Sequence, residues 1–330
     1  MNIVKGFTPN GHDEPWLRRA RISRRLVMVL ALVACAQVEA GITTLDPVAD
    51  NWTSSCASGC TENNGDDVEL RVRTAALYDE PPREIKNFRS LLRFDFFNLP
   101  ALPEGSQITR ATLGLYYFEY HWENPVGREY AVHRVTSSWD EMGSTWQARD
   151  GYNTGAPLYW ESYLAGDPPY RPGGGDFEAN ECASVEVPDI GNGVPFDETW
   201  MTWDVTELVR EWARETYPNE GLLVKDANEF EGDPGFGIAW GPAQFHSSDY
   251  YNDTVWPYLE VIIFGDFDDD GDVDLGDHAD FHDCFTGPCG EPPCTPPLYE
   301  GNPGCVVADF EVDGDVDLED YAAMQRAMGS

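Results

Sequence analysis

Two twelve-residue stretches carry the most explicit chemistry in the chain: DFDDDGDVDLGD, Asp266 to Asp277, and DFEVDGDVDLED, Asp309 to Asp320. Aligned on Gly271 and Gly314, both place carboxylates at positions 1, 3, 5, 9 and 12. A hard cation such as calcium takes about 6–8 oxygen ligands, and a loop of this spacing supplies them from alternate side chains, one backbone carbonyl and a closing carboxylate. In the first copy Asp266, Asp268 and Asp270 each offer an oxygen, Asp272 its carbonyl, Asp274 a water-mediated contact and Asp277 the closing group. In the second the same roles fall to Asp309, Glu311, Asp313, Asp315, Asp317 and Asp320. Glycine at position 6 permits a turn that a Cβ would obstruct. Val273 and Val316, at position 8, are the apolar residues through which two such loops can pair. A merely solvated acidic run would not repeat this register, so the expectation is two bound calcium ions.

Each loop leads into one helical stretch, HADFHDCF from His278 and YAAMQRAM from Tyr321, and each closes on Asp where the standard helix-loop-helix hand has Glu. On these residues the segment 265–330 resembles a type I dockerin. The resemblance implies a small α-helical calcium module that docks its carrier onto a cohesin through loop positions 10 and 11 and the following helix. Here those positions are Leu275 with Gly276 and Leu318 with Glu319, not the small hydroxylic pairs of the best-known dockerins. The expected partner is therefore a cohesin-like or other surface protein.

The rest of the chain must carry this module to its place. The formal charge is −38 over 330 residues. Residues 265–330 contribute 18 acids against one base, Arg326. Such a field repels nucleic acid and suits a calcium-containing extracellular medium. Residues 1–40 read as a signal peptide, with Arg18, Arg19, Arg21, Arg24 and Arg25 ahead of the short apolar run LVMVLALVA and small residues at Val38 and Ala40. The alternative takes LVAC as a lipobox, which would tether the protein to a membrane through lipidated Cys35. Secretion, with or without that tether, favours disulfides. The pairs expected are Cys284 with Cys305, Cys289 with Cys294, and Cys56 with Cys60, leaving Cys182 odd. A zinc site is the alternative for the four C-terminal cysteines, without CxxC spacing to support it.

Residues 41–264 alternate like short strands: SLLRFDFFNLP, ITRATLGLYYFEY, YAVHRVT, WMTWDV, GLLVK, FGIAW and PYLEVIIF, interrupted by one capped helix, DVTELVREWARE. In ITRATLGLYYFEY the alternation sets Leu113, Leu115 and Tyr117 on one face and Tyr116, Phe118 and Tyr120 on the other. The pattern predicts an all-β jelly-roll sandwich with one helix. The order VELRVRT, LLRFDFFNLP, ITRATLGLYYF, VTSSWDEMGSTWQ, WDVTELVREW, GLLVK, PYLEVIIF resembles the bacterial DNRLRE domain, classed with carbohydrate-binding modules. The literal motif is absent, DDVELR being the nearest match, and a long insert runs from Gly151 to Thr199.

That resemblance implies a secreted polysaccharide-binding or adhesive module, with uronate-rich polymers among possible ligands. Aromatic rings grip sugars by covering their apolar C–H faces. Tyr120, Trp122, Trp160, Tyr250 and Tyr251 are the candidates, with Arg71 and Arg73 to answer uronate charge and Arg89 and Arg93 behind them. The chain has no HExxH, GxSxG or phosphate loop, and His121, His133 and His246 are scattered. The reading is non-catalytic polysaccharide binding. The alternatives are an adhesive surface protein without sugar specificity, and a polysaccharide lyase or glycoside hydrolase.

Overall fold

The computed structural model describes residues 42–55, 61–77, 84–96, 107–121, 123–163, 173–192, 195–230, 238–264, 275–288, 305, 308–309 and 313–328. All of them belong to the compact unit Val38–Ser330. The expected signal segment, Trp122, Cys56, Cys60, Cys289, Cys294, Glu311 and the first calcium loop up to Asp274 lie outside the described residues.

The alternating segments assemble into two antiparallel sheets, with strands numbered in chain order. The first sheet runs β1 (Ile42–Leu45), β16 (Tyr258–Phe264), β7 (Gln107–Tyr120), β15 (Ala243–His246), β3 (Glu69–Val72), and β12 (Thr199–Asp204) also pairs with β7. The second runs β11 (Ala183–Glu186), β8 (Glu129–Arg134), β13 (Leu222–Asp226), β6 (Phe88–Phe94), β2 (Pro47–Ser54). Two small sheets flank them: β14 (Ile238–Ala239), β4 (Ala75–Leu77) and β5 (Glu84–Ile85), and β9 (Ala148–Asp150) with β10 (Leu158–Tyr159).

The two large sheets form a β-sandwich because alternate residues of both bury apolar side chains between them. Leu113, Leu115 and Tyr117 from one sheet share a core with Leu92, Phe94, Val132, Leu222 and Val224 from the other. Polar tips inside this core are satisfied across the gap: the Trp203 indole donates to the Tyr130 carbonyl at 2.9 Å, and the Tyr130 hydroxyl to the Val72 carbonyl at 3.2 Å. The helix α1 (Thr206–Ala213) is shorter than its sequence pattern and buries Leu208, Val209 and Trp212 in the same core.

The central strand departs from simple alternation at one point. Pairing with β15 matches Gln244 to Glu119 but Phe245 to Tyr117, so Phe118 is the extra residue of a β-bulge. Phe118 and Glu119 both miss the core, and parity flips after them. Tyr120, expected on the outer face beside Tyr116 and Phe118, is therefore a core residue. Its ring lies 5.1 Å from that of Phe196, and its hydroxyl donates to the Gly191 carbonyl at 2.9 Å.

The outer face of the second sheet is covered by the chain itself. Ala49, Leu91 and Leu223 form a second apolar cluster with Val135, Trp139, Trp160, Tyr163 and Phe177, from the connection between β8 and β11. Trp160, expected as a ligand residue, is 1% exposed, and its indole donates to the Thr145 carbonyl at 2.8 Å. The arginines here are also engaged. Arg89 pairs with Glu229 at 2.7 Å, donates to the Gly173 carbonyl at 2.6 Å and lies 4.6 Å from the Trp146 ring centroid. Arg93 donates to the Trp139 carbonyl at 2.9 Å.

Candidate functional site

The outer face of the first sheet carries a connected set of aromatic rings. The outward positions of β7, β12, β15 and β16 hold Tyr116, Trp200, His246 and Tyr258, the bulge adds Phe118, and the turn after β15 adds Tyr250 and Tyr251. Ring centroids lie 4.9 Å apart for Tyr258 and Trp200, 5.1 Å for Trp200 and Tyr116, and 5.9 Å for Tyr116 and His246. His246 is stacked between Phe118, at 4.1 Å, and Tyr250, at 3.7 Å, with Tyr251 4.4 Å beyond Tyr250. Tyr251 is 88% exposed, while Tyr116, Phe118, Trp200, Tyr250 and Tyr258 are half-buried.

Strand geometry explains why these rings meet. Neighbouring strands lie about 4.8 Å apart, so outward residues in register on adjacent strands hold their rings in contact. Trp200 pairs directly with Tyr116, and Tyr258 with Gly114. A Cβ at Gly114 would stand 2.2 Å from a carbon of the Tyr258 ring, so the missing side chain is what lets that ring lie across the sheet. Stacking buries most of His246, and this desolvation pushes its imidazole pKa down, partly offset by the nearby carboxylates of Glu198 and Glu69. Among the described residues the Trp200 indole N–H has no hydrogen-bond partner.

Carboxylates rim these rings. Glu198 accepts a hydrogen bond from the Tyr116 hydroxyl at 3.1 Å. Glu69 accepts from Arg71 through Nε and Nη2, at 3.0 and 2.8 Å, and from the Gln244 amide. Of the residues expected from the sequence, Tyr250 and Tyr251 belong to the aromatic face, and Arg71 stands beside it on β3. Arg73 does not: it is 2% exposed, and its Nε donates to the Trp240 carbonyl at 2.7 Å. The residues that sequence reading passed over are Tyr116, Phe118, Trp200, His246 and Tyr258. A signal was present, since YYFEY and YLEVIIF place aromatics at the non-core parity of two strands, but which strands become neighbours is a tertiary fact.

Among the described residues two groups of carboxylates could hold a cation. Oxygens of Asp315, Asp317 and Asp320 lie within 4.8 Å of one another. Asp309 closes the loop start by accepting from the N–H groups of Asp313 and Gly314 at 3.0 and 2.9 Å, Asp320 accepts from Asp317 N–H at 2.8 Å, and Gly314 has φ of 92°. Asp309, Asp315 and Asp320 are buried. An all-oxygen, strongly acidic donor set in a turn of this kind fits calcium. Asp315, expected to offer its backbone carbonyl, brings its carboxylate into the group. Val316 is buried, its carbonyl accepts from Thr286 N–H and its N–H donates to Thr286 Oγ1, both at 2.9 Å, while Val273, its expected partner, lies outside the described residues.

Two helices follow the loops, α2 (Leu275–Asp283) and α3 (Leu318–Met328), and Phe281 of one packs 6.0 Å from Tyr321 of the other. Asp277 is buried at the start of α2. A disulfide joins Cys284 to Cys305, whose Cα atoms are 5.3 Å apart, while Cys182 is free.

The second carboxylate group is Asp50, Glu141 and Asp249, within the same 4.8 Å. Burial is the main reason the Asp50 carboxyl is pushed up to about 6, despite the hydrogen bond it accepts from Ser248 N–H at 2.8 Å.

Residues 41–158 match the model of Carbohydrate-binding module family 96. The match takes in about a third of the chain, from β1 to the start of β10, and so includes Glu69, Arg71, Tyr116 and Phe118. That family is one of non-catalytic binding modules, and it supports carbohydrate binding by a β-sandwich here. The remaining strands of both sheets lie beyond the matched residues. No curated protein matches the chain.

Proposed function

We propose that this protein binds polysaccharide on the outer face of its six-stranded sheet, and that its C-terminal segment is a calcium-loaded docking module. The observation that carries the first part is the connected row of rings from Tyr258 to Tyr251 on one face of the sandwich. Such rings can cover sugar C–H faces and exclude water, while the Trp200 indole N–H and the rim carboxylates can hydrogen-bond hydroxyls. The second part is supported by the buried aspartates of the loop at Asp309–Asp320 and by its duplicate at Asp266–Asp277. Each site would hold one calcium, offsetting repulsion among carboxylates that face each other. A cohesin-like or surface protein is the proposed partner of this module, and secretion the proposed destination.

The test of the binding face is affinity electrophoresis of the full chain in gels containing single polysaccharides. Retardation by at least one of them is expected, with a loss of roughly 30-fold or more in Trp200→Ala, the scale of a binding hot spot of about 2 kcal/mol. Tyr251→Ala, at an exposed position, checks that the loss is not misfolding. Retardation unchanged in both variants would remove the face from the proposal. For the tail, chelation should lower the far-ultraviolet helix signal of the full chain and calcium should restore it.

A further inference from the structure

We infer that the chain carries a second saccharide site, a cleft between α1 and the segment Glu178 to Cys182 that takes a short uncharged oligosaccharide. The cleft shares no residue with the aromatic face, and rests on the carbohydrate-binding reading only for the chemistry of its ligand.

Its walls follow from a mismatch in pairing. β8 and the chain leading into β11 are paired at Val132 with Ala183 and at Val135 with Phe177, so between those pairs two residues, His133 and Arg134, stand opposite five, Glu178 to Cys182. The surplus cannot stay in the ladder and arches off the sheet. Its ends are fixed, because Glu178 N–H donates to the Arg134 carbonyl at 2.9 Å and Cys182 N–H to the Val132 carbonyl at 2.7 Å. The facing wall is α1, with Glu207 and Glu211, and Tyr217 beyond it; buried Val205 and Leu208 lie between. The space so framed is about 500 Å³, inside the range of about 300–1,000 Å³ typical of small-molecule sites.

The lining matches a sugar group by group. The Arg134 guanidinium lies 3.9 Å from the Tyr217 ring centroid and covers one face of it, while the residue is still 40% exposed. A ring backed in this way is held still, and its uncovered part can take the C–H face of a pyranose. Among the described residues the Asn180 side chain, the Glu181 and Glu211 carboxylates, and Nε and Nη1 of Arg134 make no hydrogen bond. The amide and guanidinium donate and the carboxylates accept, and a sugar hydroxyl can answer either. Charge then selects among saccharides. Arg134 is set against Glu178, at 3.5 Å, and against Glu181 and Glu211, while Glu207 is paired with Arg210 at 2.6 Å. The cleft is therefore net negative. An anionic sugar would meet like charge in it, whereas a neutral one gains charge-assisted hydrogen bonds. This selection belongs to the cleft and leaves the ligand of the aromatic face open.

Cys182, a free thiol on the rim, can report occupancy. Burial raises the pKa of this thiol, so alkylation of the full chain by iodoacetamide is followed at alkaline pH, on the peptide that holds Cys182. The probes are cellotriose, xylotriose and mannotriose, with the galacturonate and glucosamine trimers as charged counterparts. At least one uncharged trimer is expected to slow alkylation about threefold, the protection of a site two-thirds filled. Tyr217→Ala and Asn180→Ala should abolish that protection, and Trp200→Ala should leave it unchanged. Saturation-transfer NMR of the same trimers on the Trp200→Ala chain repeats the comparison without the thiol. No signal from any uncharged trimer in either measurement, or a signal that survives both cleft variants, would overturn the inference. So would better protection by a charged trimer than by every uncharged one. If Trp200→Ala removed the protection and Tyr217→Ala did not, the sugar would sit on the aromatic face, and the cleft would fall while that face stood.

Discussion

On the five-stranded sheet, Leu91 and Leu223 face outward and lie beneath Trp139 and Trp160; on the six-stranded sheet, Tyr116 and Trp200 face outward and remain half-exposed. The tryptophans over the first are sealed, each donating its indole N–H to a backbone carbonyl, that of Glu220 or of Thr145. Trp200 is half-buried, in contact with the Tyr116 and Tyr258 rings, and among the described residues its indole N–H has no hydrogen-bond partner. Aromatic content is thus no guide to function in this chain. What separates the rings of the two faces is whether the chain returns to cover them. The segment between β8 and β11 does so for one sheet, at the cost of ordering a long connection that a hydrophobic cluster must offset.

The sharpest way to break this contrast is a matched pair of truncations. Trp160→Ala removes a fully buried ring and is expected to destabilise the fold by about 3–5 kcal/mol, lowering the thermal midpoint by roughly 10 °C, while folded molecules bind glycan unchanged. Trp200→Ala should do the reverse: a small change in midpoint and the loss of binding stated above. Calorimetric unfolding and affinity electrophoresis on the same preparations check both. Equal effects of the two variants on stability would mean that the six-stranded face is as structural as its counterpart.

A smaller effect is expected from the glycines that make room for rings on each face. At Gly114 an added Cβ would meet the Tyr258 ring at 2.2 Å, and at Gly174, where φ is 67°, it would meet carbons of the Trp146 ring at 2.5 Å. Overpacking of this kind costs about 1–3 kcal/mol. Gly174→Ala adds the strain of a left-handed backbone, about 1–2 kcal/mol. Gly114 has no such strain, and its ring borders solvent, so Gly114→Ala should lose glycan affinity by displacing Tyr258 while costing less stability than Gly174→Ala. Chemical denaturation and the binding assay on both variants would separate the two outcomes.

Much of this organisation is readable from the chain. Period-two alternation in ITRATLGLYYFEY marks β7, and its core face is correct at Leu113, Leu115 and Tyr117, because parity survives wherever a strand is regular. It fails at Tyr120, one residue past the bulge, since an inserted residue leaves no trace in hydrophobicity. Trp160 and Arg73 fail for another reason. A tryptophan in a Gly- and Pro-rich connection looks exposed until the sheet beneath it is known, and an arginine beside a strand looks free until the carbonyl it reaches is placed. β15 carries no strand signal because AQFH is short and two of its four residues are polar. The turn of the second acidic loop is legible at Asp309, Gly314 and Asp320, where side-chain carboxylates accept from backbone N–H groups and the chain takes a left-handed glycine, since such a turn is a local object.

The smallest effect uses the histidine that each face carries. His133 on β8 lies against the Phe177 ring at 5.0 Å with Nδ1 2.9 Å from the Glu178 carbonyl, and His246 on β15 lies between Phe118 and Tyr250. Burial lowers both pKa values below 6.5. The folded state therefore holds fewer protons than the unfolded chain as pH falls through 6.5, and stability present above that pH is lost on acidification. Asp50 acts in the opposite sense. Its carboxyl, raised from 3.8 to about 6, makes the fold bind more protons, so stability grows as pH falls through that window. The comparison is best made in an Asp50→Asn background with chelator present. At His133, Lys225 adds to the desolvation and only Glu181 and backbone hydrogen bonds oppose it, whereas two carboxylates, Glu198 and Glu69, ease the charging of His246. Replacing either histidine with Asn should accordingly remove part of the acid-side loss, read as the unfolding midpoint between pH 7.5 and 5. An acid-side loss unchanged in the His246 variant would mean that the stacked imidazole of the open face charges as readily in the folded chain as in the unfolded one.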